Sequence, residues 1–228
     1  MDYSIYAALT LNKFSYVANY ESIDIIEHGT NSIVRNFPVG SFVRCIALST
    51  DQASLLVGCD DGDARVVDII TGQIRHVCKG HTRVVRCIIA GAGNEIITCS
   101  KDKSIIRWTS EGVCVRTYLG HSNEVYSVLF SAKKNRIYSG SHDMSIRAWD
   151  YDSGVEVAMM LGHGDVVRSL AWVQGEKTFV SGSRDMSVRT QTPSEVHLLI
   201  LLSQEQVITS LPGPAMMQLT ALVWPLHT

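Results

Sequence analysis

Four aspartates, Asp61, Asp102, Asp143 and Asp185, lie 41, 41 and 42 residues apart, and the letters around the last three nearly repeat: SKDKSIIRW, SHDMSIRAWD and SRDMSVRT. Self-similarity at a fixed period means one supersecondary unit copied along the chain, each copy burying its apolar face against the next. No other feature constrains the fold as tightly.

One period shows what the unit is. From His121 the chain runs EVYSVLF, KNRIYSGS, SIRAWD and VEVAMML, four short runs rich in β-branched and aromatic residues, separated by Asn, Gly, Asp and Ser. Such runs are antiparallel strands joined by turns. Between Phe42 and Arg189 no stretch has the spacing of an amphipathic helix of ten or more residues, so the pattern is all-β and excludes a doubly wound nucleotide-binding fold. Hydrophobic residues make up 46%, charged residues 18%, and the formal net charge is -2. That balance excludes disorder and a globally basic nucleic-acid binder.

The amino terminus, MDYSIYAALTLNKF, has no basic start and no long apolar run, so neither a secretory signal nor a membrane span is expected there. An intracellular place, cytoplasmic or nuclear, follows. Six cysteines, Cys45, Cys59, Cys78, Cys87, Cys99 and Cys114, fall in or beside the expected strands without CxxC spacing. They read as buried free thiols, with neither a zinc site nor any cofactor expected. Asp60, Asp61, Gly62 and Asp63 have the start of a calcium loop but not its later glutamate, and read as an ordinary turn. Trp172 reads as core, and Tyr126 as either core or ligand contact.

Gly-His pairs open three of the repeats, at Gly80 and His81, Gly120 and His121, and Gly162 and His163, and Trp149 with Asp150 closes one. With these words the chain resembles the WD-repeat β-propellers over residues 38–190. The resemblance implies that each blade is pinned by a buried hydrogen-bonded set: the Gly-His histidine, a Ser or Thr on the second strand, the turn aspartate and a strand tryptophan. Those are His81, Thr98, Asp102 and Trp108 in one blade, and His121, Ser139, Asp143 and Trp149 in the next. A third copy keeps His163, Ser181 and Asp185 but has Gln191 where the tryptophan belongs. The blade around Asp61 has Val39, Val57 and Val67 at the other places and lacks the set. Each copy contains Ser, His and Asp, the residue types of a hydrolase triad. A catalytic constellation is needed once, whereas this one recurs at equal offsets without a G-x-S-x-G elbow, so catalysis is not expected.

The blades are expected at 38–78, 79–119, 120–160 and, truncated, at 161–190. Residues 1–37 give a degenerate partial blade of two or three strands. Propellers of this kind close with about seven blades, or roughly 290 residues, so the ring is expected to be incomplete. Residues 191–228 contain no Gly-His pair, no turn aspartate, and no Lys or Arg. They read as a non-repeat tail, disordered or poorly packed, whose Val196–Leu202 run is too short to span a membrane. Open blade edges would invite self-association or chaperone binding.

Family resemblance also implies where partners bind: on the narrower face, through residues just inside each first strand and just before each turn aspartate. The first set is Arg44, Arg86, Tyr126 and Arg168; the second is Asp60, Lys101, His142 and Arg184. A guanidinium presents a planar fork suited to carboxylate or phosphate oxygens. The expected function is therefore a noncatalytic scaffold or substrate-recruiting adaptor that reads acidic or phosphorylated peptide segments. Pairing of these cations with neighbours such as Asp60, Asp63, Glu124 and Asp165 is the plainer alternative for the face. For the chain as a whole, the alternative is a truncated isoform or fragment of a larger WD-repeat protein with no independent, or an interfering, function. A membrane partner is not expected, and a net charge of -2 does not predict direct nucleic-acid binding.

Overall fold

A computed structural model describes residues 7–173 and 175–192, which form five antiparallel sheets in chain order. Among the described residues the one helical piece is the 3₁₀ turn Ala92–Asn94. The first sheet is β1 (Ala7–Leu11), β2 (Phe14–Asn19), β3 (Ser22–Glu27) and β4 (Ser32–Pro38). The second is β5 (Val43–Leu48), β6 (Ser54–Cys59), β7 (Ala64–Asp68) and β8 (Ile74–Cys78). The third is β9 (Val85–Ala90), β10 (Ile96–Ser100), β11 (Ile105–Trp108) and β12 (Cys114–Tyr118). The fourth is β13 (Val125–Ser131), β14 (Arg136–Ser141), β15 (Ile146–Asp150) and β16 (Glu156–Met160), and the fifth is β17 (Val167–Val173), β18 (Thr178–Ser183) and β19 (Val188–Gln191).

The first sheet has four strands where two or three were expected. Its first hairpin turns on Asn12 and Lys13, with Asn12 at φ 55°. Asn tolerates this left-handed conformation, so the turn needs none of the Gly-His or Asp words that mark the later repeats. At the other end Gln191 closes β19 rather than opening the tail. Residues 193–228 lie outside the described residues.

Consecutive sheets stack face to face, and the burial pattern follows. Every residue of β6 and β10 is buried, because second strands are covered on both faces. Fourth strands are outermost, and β8 and β12 expose most of their length. Each apolar cluster bridges two neighbouring sheets: Tyr16, Ile23 and Phe37 with Val43 and Leu55; Leu56 and Val66 with Ile96 and Trp108; Ile97 and Tyr118 with Ile137 and Trp149; Tyr138 with Leu170 and Phe179. The core is thus divided among the interfaces between sheets, as in stacked repeats. Among the described residues the ring of sheets is open.

Candidate functional site

The repeated aspartates lie in the turns between second and third strands. Asp102 Oδ2 accepts from His81 Nδ1 at 2.9 Å and from the Thr82 amide at 2.9 Å. His81 Nε2 meets Thr98 Oγ1 at 2.8 Å, and the same oxygen accepts the Trp108 indole N–H at 2.8 Å. With the imidazole neutral and its proton on Nδ1, every donor has an acceptor: Trp108 donates to Thr98, Thr98 to His81, and His81 to Asp102. The next sheet repeats the chain, with His121 Nδ1 2.8 Å from Asp143, His121 Nε2 2.7 Å from Ser139 and Trp149 Nε1 2.9 Å from Ser139. In the fifth sheet His163 bridges Asp185 at 2.9 Å and Ser181 at 2.8 Å, and Gln191 stands at the tryptophan place in β19. Two of the Gly-His glycines sit against the same indoles, since a Cβ on Gly80 would lie 2.9 Å from Trp108 and one on Gly120 3.0 Å from Trp149.

Sequence reasoning missed a serine two residues after each aspartate. Ser104 Oγ donates to Asp102 Oδ1 at 2.6 Å and its amide donates to the same oxygen at 2.9 Å. Ser145 with Asp143 and Ser187 with Asp185 do the same at 2.6 Å for the hydroxyl. It also missed the serine two residues before: Ser100, Ser141 and Ser183 each accept from the aspartate amide and donate to the loop ahead of the first strand. The signal was visible, because S-x-D-x-S stands in all three repeats. Burial alone would push these carboxyls up. Hydrogen bonds from His81 and Ser104 outweigh it for Asp102, as do those from His121 and Ser145 for Asp143, and those from Ser187, the Gly164 amide and His163 for Asp185. All three are held well below the ordinary carboxylate range.

The geometry differs from a hydrolase triad. The hydroxyl on Nε2 belongs to a fully buried Thr98, Ser139 or Ser181. In two of the three sheets that oxygen is also claimed by an indole N–H. A nucleophile needs an open approach, and none is left here.

Around Asp61 the set is replaced by packing. Val39, Val57 and Val67 are buried in one apolar cluster with Val43 and Leu55. Replacing a buried polar set by apolar side chains as a unit leaves no orphaned donor. Asp61 turns instead to Arg65, 2.6 Å away, while Asp63 lies 4.0 Å from the same guanidinium.

The expected partner-binding residues share one end of the sheets, and a backbone device puts them there. Four of the five first strands slip register once against the second, leaving one residue unpaired: Arg44 between Val43 and Cys45, Arg86 between Val85 and Cys87, Tyr126 between Val125 and Ser127, Arg168 between Val167 and Ser169; β1 pairs with β2 in unbroken register. A β-bulge re-aims the side chain of its extra residue. Beside each bulge the turn residue donates its amide to the loop: Asp60 to Phe42 at 2.9 Å, Lys101 to Val84 at 2.9 Å, His142 to Glu124 at 2.8 Å and Arg184 to Val166 at 2.9 Å. The two sets therefore lie side by side along one end of four consecutive sheets, an open ring.

That ring is largely charge-compensated. Arg44 holds Asp60 with two hydrogen bonds, the Nη2 bond at 2.8 Å, and lies 4.4 Å over Phe42. Arg86 and Lys101 share Glu124 at 3.0 and 3.1 Å. Burial would raise the Glu124 carboxyl, but the bonds from Lys101 and Arg86 hold it below its ordinary range. Arg184 is 3.8 Å from Asp165. Arg168 differs: it is exposed, lies 4.5 Å over the Tyr126 ring, and among the described residues no carboxylate pairs with it. Tyr126 is thus stacked between Arg168 and, at 5.0 Å, Arg86, with His142 at 6.1 Å.

Three further expectations can be placed. Trp172 packs on Tyr138 and Phe179 and donates to the Phe130 carbonyl at 3.1 Å. Cys59, Cys78 and Cys99 are buried, and Cys45 and Cys87 are partly covered. Cys114 is exposed, contrary to expectation, because it opens the outermost strand β12.

The sequence model of the WD domain, G-beta repeat family matches residues 31–68, 72–109, 112–150 and 154–190, the greater part of the chain. Each matched stretch starts on the fourth strand of one sheet and ends on the third strand of the next. Similar curated proteins include the nuclear distribution protein nudF of Aspergillus flavus, 33% identical over 117 residues, 49% of this chain and 26% of that protein. Nuclear distribution protein PAC1 of Candida dubliniensis is 29% identical over 62% of this chain and 30% of its own, and protein tipD of Dictyostelium discoideum 31% identical over 50% and 19%. The chain thus spans about a quarter of the length of the curated relatives it matches. Among solved structures, the crystal structure of the computationally designed Ika8 protein superimposes with a TM-score of 0.72 at 23% identity, covering 83% of this chain and 58% of that one.

Proposed function

The chain belongs to the WD-repeat family, and from that premise we propose that it is a noncatalytic interaction scaffold whose protein partner docks on the ring of bulged residues Arg44, Arg86, Tyr126 and Arg168. The observation that carries this reading is the repeated register slip, which presents four side chains from successive repeats at one end of four sheets. Curated relatives called nuclear distribution proteins support an intracellular assembly as its place of work.

Within that reading, an acidic or phosphorylated segment of the partner is read at the junction of the fourth and fifth sheets. Arg44, Arg86 and Lys101 already hold carboxylates, so an acidic ligand gains little from them without displacing Asp60 or Glu124. Arg168 offers a guanidinium stacked on Tyr126 that is uncommitted among the described residues, with exposed Arg184 in the adjacent turn. Such a fork suits a carboxylate or phosphate bidentately.

The test is binding of matched phosphorylated and unphosphorylated peptides to the full chain by titration calorimetry. Arg168→Ala should weaken the acidic member about tenfold or more, the scale of one charge-assisted hydrogen bond. Lys133→Ala, exposed in the turn after β13 at the opposite end, should leave it unchanged. Equal affinity for both peptides, or an effect at Lys133 as large as at Arg168, would refute the proposal.

A further inference from the structure

Cys87 on β9 and Cys99 on β10 face each other directly across the antiparallel pair. Directly opposed residues in such a pair have Cα atoms about 4.5–5.5 Å apart, inside the range a disulfide spans. Cys99 Sγ is 3.4 Å from the Val125 carbonyl of the next sheet. Cys87 is partly exposed and Cys99 fully buried. The pair therefore sets the less covered of two directly opposed cysteines against a fully buried one, so an oxidant that enters meets Cys87 first and Cys99 stands opposite to resolve the product.

We propose that Cys87 and Cys99 are a redox-modification site that closes a reversible cross-strand disulfide when the oxidant is a peroxide. The Cys87 thiolate attacks one peroxide oxygen; the O–O bond breaks, and the departing hydroxide takes up a proton as water, leaving a sulfenic acid. The Cys99 sulfur then attacks the Cys87 sulfur; the S–S bond forms, the S–O bond breaks, and the hydroxyl leaves with the Cys99 proton as a second water. Two thiols and one peroxide become one disulfide and two waters. A dithiol reductant reverses it by exchange.

The surroundings favour this division of labour. A hydrogen bond from Cys99, together with the backbone amides of Val128 and Ile88, holds the Cys87 thiol below its ordinary range despite burial, whereas burial pushes Cys99 well above. Only a thiolate is nucleophilic, so attack begins at Cys87. Cys45, at the equivalent place on β5, lacks a matching thiol across the strand pair, because it faces Gly58. Cys87 follows the bulged Arg86, and Cys99 stands two residues before Lys101, so the bond would cross-link the strands under the two cations on Glu124.

The sequence makes the test direct, because trypsin releases residues 87–101 as one peptide holding both cysteines. The reduced full chain is titrated with hydrogen peroxide, quenched by alkylation and digested. The expected result is loss of two hydrogens from peptide 87–101 before the exposed Cys114 is oxidised, restored by dithiothreitol. Cys99→Ser should block the loss and leave a dimedone-reactive sulfenic acid at Cys87; chain denatured in urea should lose the preference for this pair. Oxidation of Cys87 and Cys99 no faster than Cys114, or a Cys45–Cys87 bond instead, would overturn the proposal.

Discussion

Asp143→Ala tests whether the repeated set is a cooperative unit or an ornament of the turn. Four hydrogen bonds end on this carboxylate: from His121 Nδ1 at 2.8 Å, the Ser122 amide at 3.0 Å, the Ser145 amide at 3.0 Å and the Ser145 hydroxyl at 2.6 Å. Ser122 is exposed, so water can replace its partner. His121 is 6% exposed and Ser145 2%, and their side-chain donors would be stranded. A buried donor left without an acceptor costs about 1–3 kcal/mol, so the two together give roughly 4 kcal/mol. Against a domain stability of about 5–15 kcal/mol that is a large fraction. Urea unfolding followed by tryptophan fluorescence measures it, with Trp149 in the same set as a reporter. Asp185→Ala should cost less than half as much, because Gly164 is exposed, Ser187 only half-buried, and the indole is missing. His121→Ala made on top of Asp143→Ala should cost far less than when made alone, the mark of a shared network. A loss below about 1 kcal/mol for Asp143→Ala, or strict additivity in the cycle, would refute the reasoning.

The other expectations concern pH, backbone and the indole. Asp102, Asp143 and Asp185 titrate near ~3.9 when unfolded but well lower when folded. Their stabilisation is therefore complete above about pH 5 and is lost as pH falls toward the folded values; Asp143→Asn should flatten the acid limb of stability against pH, and an unchanged limb would count against the assignment. Gly62→Ala should destabilise by about 2 kcal/mol, since Gly62 has φ +89° and a Cβ would lie 2.7 Å from the His81 carbonyl oxygen. The equivalent Met144 already tolerates φ 66°, so Met144→Gly should be neutral or slightly stabilising by thermal melting. Trp108→Phe should cost roughly 2 kcal/mol in urea unfolding, from the lost indole bond to Thr98 and a small void; a cost near zero would mean the indole only fills space.

The part of the fold that could be read from letters is the part where buried polar groups depend on each other. His81, Thr98 and Asp102 cannot vary singly without orphaning a donor, so their words repeat and mark three sheets, whereas the indole, whose loss orphans none, gives way to Gln191 in the fifth. The first sheet holds itself together with Ala7, Tyr16, Ala18, Ile23 and Ile25, an apolar set with many substitutes and therefore no signature. One strand of its four went unseen for that reason. The ring positions were legible by equivalence between repeats, but their charge state was not. Whether Arg86 is free or bound to Glu124 depends on a residue 38 positions away on the next sheet, and periodicity says nothing about such a pair. Serines at 104, 145 and 187 were legible in the repeat, because a carboxylate with four acceptor sites needs more donors than one histidine.

Four first strands, β5, β9, β13 and β17, make the same slip once each, yet the extruded residue is Arg, Arg, Tyr and Arg. The scaffold and the proposed recognition surface are thus set by different residues. The pinning set below the bulge fixes loop against strand and tolerates wholesale replacement by valines, as around Asp61. The bulged residue above it makes no ladder hydrogen bond and is free to differ from blade to blade. Selectivity on such a ring comes from contrast between neighbours. Where Arg44 and Arg86 are neutralised by Asp60 and Glu124, the surface is charge-balanced and suits a polar partner of either sign. Where Tyr126 carries Arg168 without a carboxylate among the described residues, the balance fails toward the positive. A partner carrying one acidic group, placed about one sheet from a neutral contact, would be held in a single orientation.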